Sequence, residues 1–294
     1  STSKQKKNLY VSIKYHKWER KIPYGMIDTI YGITSDHKAE LEAILGKYDL
    51  NFSNNEKAWK EDYELPIDEF KNQRKIFNET AFSIDPEGCL DIDDAFHFKQ
   101  DEDNIQIGIH IADVSYYVKP NSKIDLVAQQ RLSSIYAPHK VINMLPPYLS
   151  EDLCSLHHSK EKYSISILLS FSHDGKLDRF EIIPGVIKLD KNYSYEDADS
   201  IITSNNFNSQ SDQELINMFN FSKIIDSEIN DTHKMVEYFM ILANQLVCKF
   251  LKEHNHIISN ESIIVRTHQK SDFNLNKENV PDNLYDDIFY KFMN

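Results

Sequence analysis

Four aspartates fall within ten residues in the run Asp85-Pro-Glu-Gly-Cys-Leu-Asp91-Ile-Asp93-Asp94, and strand-like runs flank them on both sides. Phe82-Ser-Ile-Asp85 enters the cluster, Ala95-Phe-His-Phe98 leaves it, and Ile105-Gln-Ile-Gly-Ile-His-Ile-Ala112 repeats the period-2 alternation of a sheet. The acids are therefore predicted at a strand end or in a strand-to-strand loop. Ionised aspartates that converge repel one another, so some take up protons unless a cation neutralises them. Mg²⁺ or Mn²⁺ favours an oxygen-rich nest of this kind.

Three readings of the cluster compete. One is a solvated acidic loop, the ordinary fate of a charge run. A calcium loop of the EF-hand type is the second, but the run lacks the Gly at the sixth position and the bidentate Glu at the twelfth. The third is a catalytic Mg²⁺ site acting on a phosphodiester, with two metals about 4 Å apart.

The rest of the chain bounds these choices. Its 294 residues suffice for one large domain with a smaller N-terminal piece. The net charge of -13 speaks against a nonspecific nucleic-acid coat protein but not against a nuclease, whose positive charge can be confined to one channel. Cys89, Cys154 and Cys248 are distant from one another and odd in number, which predicts a reducing, cytoplasmic or nuclear setting, no zinc site, and three small buried hydrophobes. The longest apolar stretch, 239–251, is interrupted by Asn244, Gln245 and Lys249, so no membrane span and no membrane partner is expected.

Short strands are predicted within 8–33, a helix over 37–48, and a polar linker with some helix to about residue 80. Further strands are predicted at 163–172 and 179–189 with Gly175 in the turn between them, and helices at 125–133 and 232–253.

The segments Phe82-Ser-Ile-Asp-Pro-Glu-Gly-Cys-Leu-Asp-Ile-Asp-Asp-Ala95, Ile107-Gly-Ile-His-Ile-Ala-Asp-Val-Ser-Tyr-Tyr-Val-Lys-Pro120, Asn143-Met-Leu-Pro146 and Leu149-Ser-Glu-Asp-Leu-Cys-Ser-Leu156 occur in this order. Together they resemble the catalytic domain of the RNase II/RNB family of 3'-to-5' exoribonucleases, most of all its eukaryotic, exosome-associated branch. The resemblance implies a mixed α/β (α+β) fold with a twisted mixed sheet and flanking helices. It also implies a division into 1–36, the closing part of a cold-shock/OB-like barrel, 37–79, a helical linker, and 80–294, the N-terminal portion of the catalytic domain.

Position by position, Asp85, Asp91, Asp93 and Asp94 match the family's metal-binding and catalytic aspartates, with Asp93 the least replaceable. Tyr136 matches a tyrosine that packs on a terminal base, and a core tyrosine is its plain alternative. Tyr195 and Glu237 match two residues that help tell RNA from DNA, although Glu237 reads equally well as a solvated helix carboxylate. The implied cofactor is Mg²⁺, with Mn²⁺ as a substitute. The implied partners are single-stranded RNA and either an exosome-like complex or a polypeptide supplying the missing C-terminal half.

Two departures stand against this. No Ser-Pro-Ile-Arg-Arg-Tyr type segment and no C-terminal RNA-binding barrel occurs in these residues, and Arg20, Arg74, Arg131, Arg179 and Arg266 all lie in other contexts. The stretch between Tyr195 and Thr232 is short and rich in Ser and Asn, leaving Phe207, Phe219 or Phe221 to complete a base clamp. The leading expectation is a metal-dependent exoribonuclease releasing nucleoside 5'-monophosphates. Its rival is a catalytically incomplete RNA-binding or scaffold protein of the same fold.

Overall fold

The computed structural model describes residues 8–18, 23–50, 71–102, 104–138, 140–158 and 160–253. Outside it lie the basic cluster Lys4, Lys6 and Lys7, most of the expected linker, Arg20, Arg266 and the tail 271–294. The chain divides into two compact units, Ser1–Ala243 and Asn244–Asn294. In the second, the described residues are the end of the last helix, through Glu253.

In the first unit, β1 (Leu9–Lys17) and β2 (Tyr24–Ile33) form a separate antiparallel sheet, in keeping with part of an OB-like barrel. Helix α1 (His37–Lys47) begins at Asp36, whose carboxylate accepts from the Lys38 amide at 3.0 Å. A small-residue contact seats this helix: a Cβ on Gly32 would come within 2.7 Å of the Ala39 methyl.

A seven-stranded mixed sheet forms the body. Its strands are β3 (Lys75–Ile76), β4 (Ala81–Asp85), β5 (Asp94–Gln100), β6 (Ile105–Ala112), β9 (Glu161–Phe171), β10 (Leu177–Lys188) and β11 (Lys191–Ser194). The order is β11-β4-β5-β6-β9-β10-β3. The pairs β11·β4 and β10·β3 are parallel and the rest antiparallel.

Alternation along the central strands sorts residues onto two faces. Phe82, Phe96, Phe98, Ile107, Ile109, Leu169 and Phe171 point one way and are almost fully buried. They meet α5 (Gln210–Ile225) and α6 (Thr232–Glu253) through aromatic contacts such as Phe96–Phe239, Phe98–Phe221 and Phe171–Phe221, with centroids 5.6–6.2 Å apart. Burying each such side chain stabilises the fold by roughly 1.5–3 kcal/mol. A second core unites Ala95, Ala112, Ile187 and Leu189 with Ile92, Tyr117, Ile124, Leu149, Cys154 and Leu156. These come from α2 (Val114–Tyr117), α3 (Lys123–Arg131), the acidic loop and a π-helical turn at Tyr148–Leu153. A small hairpin, β7 (Ile135–Ala137) with β8 (Lys140–Ile142), follows α3.

The helix predicted over 125–133 lies two residues earlier. The Ser122 hydroxyl caps it by accepting from the Asp125 amide, and Leu132, at φ +63°, ends it in the left-handed region. The region between Tyr195 and Thr232 holds two helices, α4 (Tyr195–Ser204) and α5. This removes two of the three candidate clamp aromatics, for Phe219 and Phe221 are core residues, whereas Phe207 is exposed. The cysteines are all free thiols. Cys154 is buried as expected, but Cys89 and Cys248 are only half-buried, and Cys89 directs its thiol at Asp91. Among the described residues no helix is long and apolar enough to cross a membrane.

Candidate active site

The acids gather at one end of the sheet because of how three strands terminate there. β4 runs out at Asp85, β5 starts at Asp94, and Asp94 pairs with Ile111 near the end of β6. The loop between them turns at Pro86–Cys89, with Gly88 at φ +76°, a conformation that suits a residue without Cβ. Its return is tied down by the Ala112 amide donating to the Asp93 carbonyl at 2.8 Å and the Leu156 amide donating to the Ile92 carbonyl at 2.9 Å.

Electrostatics mark these groups as crowded. Burial raises the Asp85 carboxyl above its ordinary value, Ser83 partly offsets this, and Asp91 adds to it. Asp93 reaches solvent, yet partial desolvation and then Asp91 and Asp85 raise it too. Asp94 is pushed up to about 7 by burial first and then by Asp85 and Asp93. Oδ2 of Asp85 and Oδ2 of Asp94 are buried without a hydrogen-bond partner. Such orphaned acceptors are rare inside proteins and are suited to coordinating an ion or accepting from a water.

These orphaned oxygens fit a divalent cation, though one of a particular kind. Among the described residues no group of three or more His, Cys, Asp or Glu side chains is placed to ligate one metal ion together. Mg²⁺ does not need such a group, because it retains several waters and is commonly held by one or two carboxylates together with substrate phosphates. Of the four expected acids, Asp85, Asp93 and Asp94 press on one another. Asp91 is also engaged by protein: its Oδ2 accepts from the Tyr136 hydroxyl at 2.6 Å and its Oδ1 from the Cys89 thiol at 3.4 Å.

Tyr136, on β7, is thus brought to the acids, and with 68% of its surface exposed it is not a core tyrosine. Tyr195 follows Ser194, which lies opposite Asp85 in the parallel β11·β4 pairing, so it leaves its strand beside the first acid. Its ring stacks on His233, at 3.7 Å between centroids and 14° between planes. His233, not foreseen from the sequence, precedes Glu237 by one helical turn on α6. The i,i+4 spacing was the available signal. Glu237 is exposed and ion-paired with Lys234 at 2.7 Å.

The described arginines are engaged elsewhere. Arg74 is buried in an ion pair with Asp113 at 2.9 Å, its guanidinium 4.3 Å from the Tyr163 ring. Arg131 donates to the Asn143 carbonyl, and Arg179 donates from Nε to Ser170 Oγ at 3.3 Å.

Comparison with known proteins places this mixed sheet, with its crowded carboxylate end and covering helices, in the class of RNB-domain folds. The RNB domain matches residues 73–228, and the chain belongs to that family. It is 32% identical over 223 residues to ribonuclease R of Chlamydia trachomatis, covering 64% of this chain and 31% of that protein. It is 28% identical over 276 residues to the exosome complex exonuclease RRP44 of Homo sapiens, covering 80% of this chain and 29% of that one. The chain thus spans about a third of the length of these relatives. A structure of Mycoplasma genitalium RNase R in complex with ribose-methylated single-stranded RNA superposes with a TM-score of 0.76, at 22% identity, covering 83% of this chain and 44% of that one.

Proposed function

We propose that this chain carries the carboxylate half of a metal-dependent 3'-to-5' exoribonuclease that shortens single-stranded RNA and releases nucleoside 5'-monophosphates. The observation that carries this reading is the pair of buried, unpartnered oxygens on Asp85 and Asp94 at the end of the sheet. Asp85, Asp91, Asp93 and Asp94 would hold Mg²⁺, or Mn²⁺ in its place, one or two of them directly and the others through its waters. A cation held there supplies charge stabilisation of the phosphoryl oxygens and a water of lowered pKa. Tyr136 offers its exposed ring to the terminal base, a contact indifferent to sequence. Tyr195, with Glu237 a turn beyond its stacking partner, is suited to reading the ribose 2'-hydroxyl, the group that separates RNA from DNA.

The engaged state of Arg74, Arg131 and Arg179 favours one second reading, an RNA-binding or scaffold protein without turnover. A transferring phosphoryl group calls for a preorganised cationic donor, and these three are committed to Asp113, Asn143 and Ser170. In the leading reading that donor comes from an exosome-like assembly or another polypeptide segment, and the setting is cytoplasmic or nuclear.

The test is digestion of a 5'-labelled single-stranded RNA in Mg²⁺, with EDTA and Asp93→Asn controls. A ladder shortening from the 3' end that disappears in both controls supports the enzyme. RNA that is bound but never shortened supports the scaffold.

A further inference from the structure

The backbone on either side of Asp91 is held by a single hydroxyl that lies 65 residues beyond Leu90 and 63 beyond Ile92. Ser155 Oγ donates to the Leu90 carbonyl at 2.8 Å and accepts from the Ile92 amide at 3.0 Å. The next residue, Leu156, donates its own amide to the Ile92 carbonyl at 2.9 Å. Ser155 is fully buried, as are Leu156 and Ile92, while Leu90 and Asp93 reach solvent. A loop of Pro, Gly and four mutually repelling acids has little reason to keep one shape by itself. What fixes it is a polar clamp set in the second core, where Cys154, Leu149, Leu156 and Ile92 pack together.

We infer that Ser155 is the positioning residue of the acidic loop, holding Asp91 and Asp93 in register for a divalent cation through its paired hydrogen bonds to Leu90 and Ile92. This rests on the metal reading proposed above. Side chains that hold a metal must be kept within about 0.5 Å of their working geometry by neighbours that are themselves locked. Ser155 is locked by complete burial and by using both its donor and an acceptor lone pair on one loop. Its hydroxyl touches backbone alone in these contacts, so its influence runs through the aspartates flanking Ile92. Removing it leaves the Ile92 amide without its partner in a site that water does not reach.

The experiment compares Mn²⁺ titrations of the metal-free parent chain, Ser155→Ala, Ser155→Thr, Asp93→Asn and Phe98→Leu. Phe98 lies on the opposite face of the sheet, against Phe221, and serves as a control for lost stability. Amide hydrogen exchange at Ile92 is followed in the same samples. The expected result is a loss of Mn²⁺ affinity of roughly 10–100-fold in Ser155→Ala, with faster exchange at Ile92, recovery in Ser155→Thr, and no more than a twofold change in Phe98→Leu. Affinity in Ser155→Ala within twofold of the parent, or unchanged exchange at Ile92, overturns the inference and leaves the metal reading standing. Mn²⁺ binding that Asp93→Asn does not weaken overturns both together.

Discussion

The Tyr136 hydroxyl donates to Asp91 Oδ2 across 2.6 Å, tying an exposed aromatic ring on a small hairpin to the acidic loop. The bond, followed by burial and the nearby acids, holds the phenol protonated to about pH 12, so it remains a donor throughout the working range. Ring and hydroxyl therefore have separable roles. Tyr136→Phe keeps the stacking surface and loses the tether, whereas Tyr136→Ala loses both. Stacking on a base is worth about 1–3 kcal/mol, so Tyr136→Ala should change the length of the limit product and Tyr136→Phe should preserve it. Limit digests of one 5'-labelled RNA by the three proteins decide the matter. The same length in all three would deny the ring any contact with the substrate.

Asp94 makes a prediction about stability and metal. Its carboxyl titrates at about 7 when folded and near 3.8 when unfolded, so the folded state holds the proton more tightly. The stability this confers is complete below pH 3.8 and is lost as the pH rises through about 7. The metal-free protein should therefore gain less from this group at pH 7.5 than at pH 5, the loss accumulating at up to roughly 1.4 kcal/mol for each pH unit between. Mg²⁺ at a hundred times its dissociation constant should restore about 2.7 kcal/mol. In urea unfolding at pH 7.5, Asp94→Asn should raise the EDTA midpoint and blunt the gain from Mg²⁺. An equal gain in parent and variant would remove Asp94 from the set of metal-holding residues.

How much of this was legible in the sequence depends on whether the signal was local. β5 and β6 announce themselves because Phe96, Phe98, Ile107 and Ile109 alternate with residues of the other face, and both strands are central. β11 and β3 do not, since each is short and joins the sheet by parallel pairing with a partner distant in sequence, Ala81–Asp85 and Leu177–Lys188 respectively. The Ser- and Asn-rich stretch after Tyr195 hid two helices because its polar residues are caps. Ser194 and Ser209 accept from the amides of Asp197 and Asp212, and Asn205 takes the left-handed end of α4. At the site, the spacing of the aspartates located the loop, but the clamp from Ser155 and the His233 stack are tertiary contacts that spacing does not encode.

The buried pair His97 and His110 predicts an acid limb. Nδ1 of His97 and Nε2 of His110 are hydrogen-bonded across 2.8 Å, and the network continues to Ser166 and Ser164 at 2.8 and 2.9 Å. Burial lowers His97 to about 4, and burial with His97 itself holds His110 well below the ordinary histidine value of 6.5. Stability from the pair is thus present above pH 6.5 and lost as the pH falls towards 4, with a slope of up to roughly 2.7 kcal/mol per pH unit where the unfolded state binds two extra protons. Urea unfolding of the parent and His97→Gln should give curves whose difference shrinks with acid, a comparison in which the opposing carboxylates cancel. Parallel curves would mean the pair titrates normally.

Gly108 tests the same network by packing. A Cβ there would fall 2.1 Å from His97 Cε1 and 2.9 Å from His110 Nε2. Both rings are buried and cannot withdraw. Gly108→Ala should therefore destabilise the protein by about 1–3 kcal/mol, the usual range for overpacking, measured as a drop in the urea midpoint. No loss would mean that the two rings have room to move.

The proposed reading of the 2'-hydroxyl by Tyr195 and Glu237 can be tested through the stack that joins α4 to α6. Tyr195 begins α4 directly after the Ser194–Asp85 pairing, and its ring lies flat on His233 of α6, four residues before Glu237. The stack fixes the ring beside the end of the sheet, and Glu237 presents a carboxylate whose ion pair is with the exposed Lys234. An exposed pair of this type contributes little, about 0–1 kcal/mol, so it costs little for Glu237 to accept a hydrogen bond from a ribose hydroxyl in its place. Tyr195→Ala and Glu237→Ala should accordingly narrow the ratio of cleavage rates between an RNA and the same strand ending in 2'-deoxynucleotides. His233→Ala should give a smaller change in the same direction, because it loosens the ring without removing it. The order Tyr195→Ala, then His233→Ala, then parent would tie discrimination to the position of that ring, and an unchanged ratio in all three variants would place the reading of the 2'-hydroxyl elsewhere.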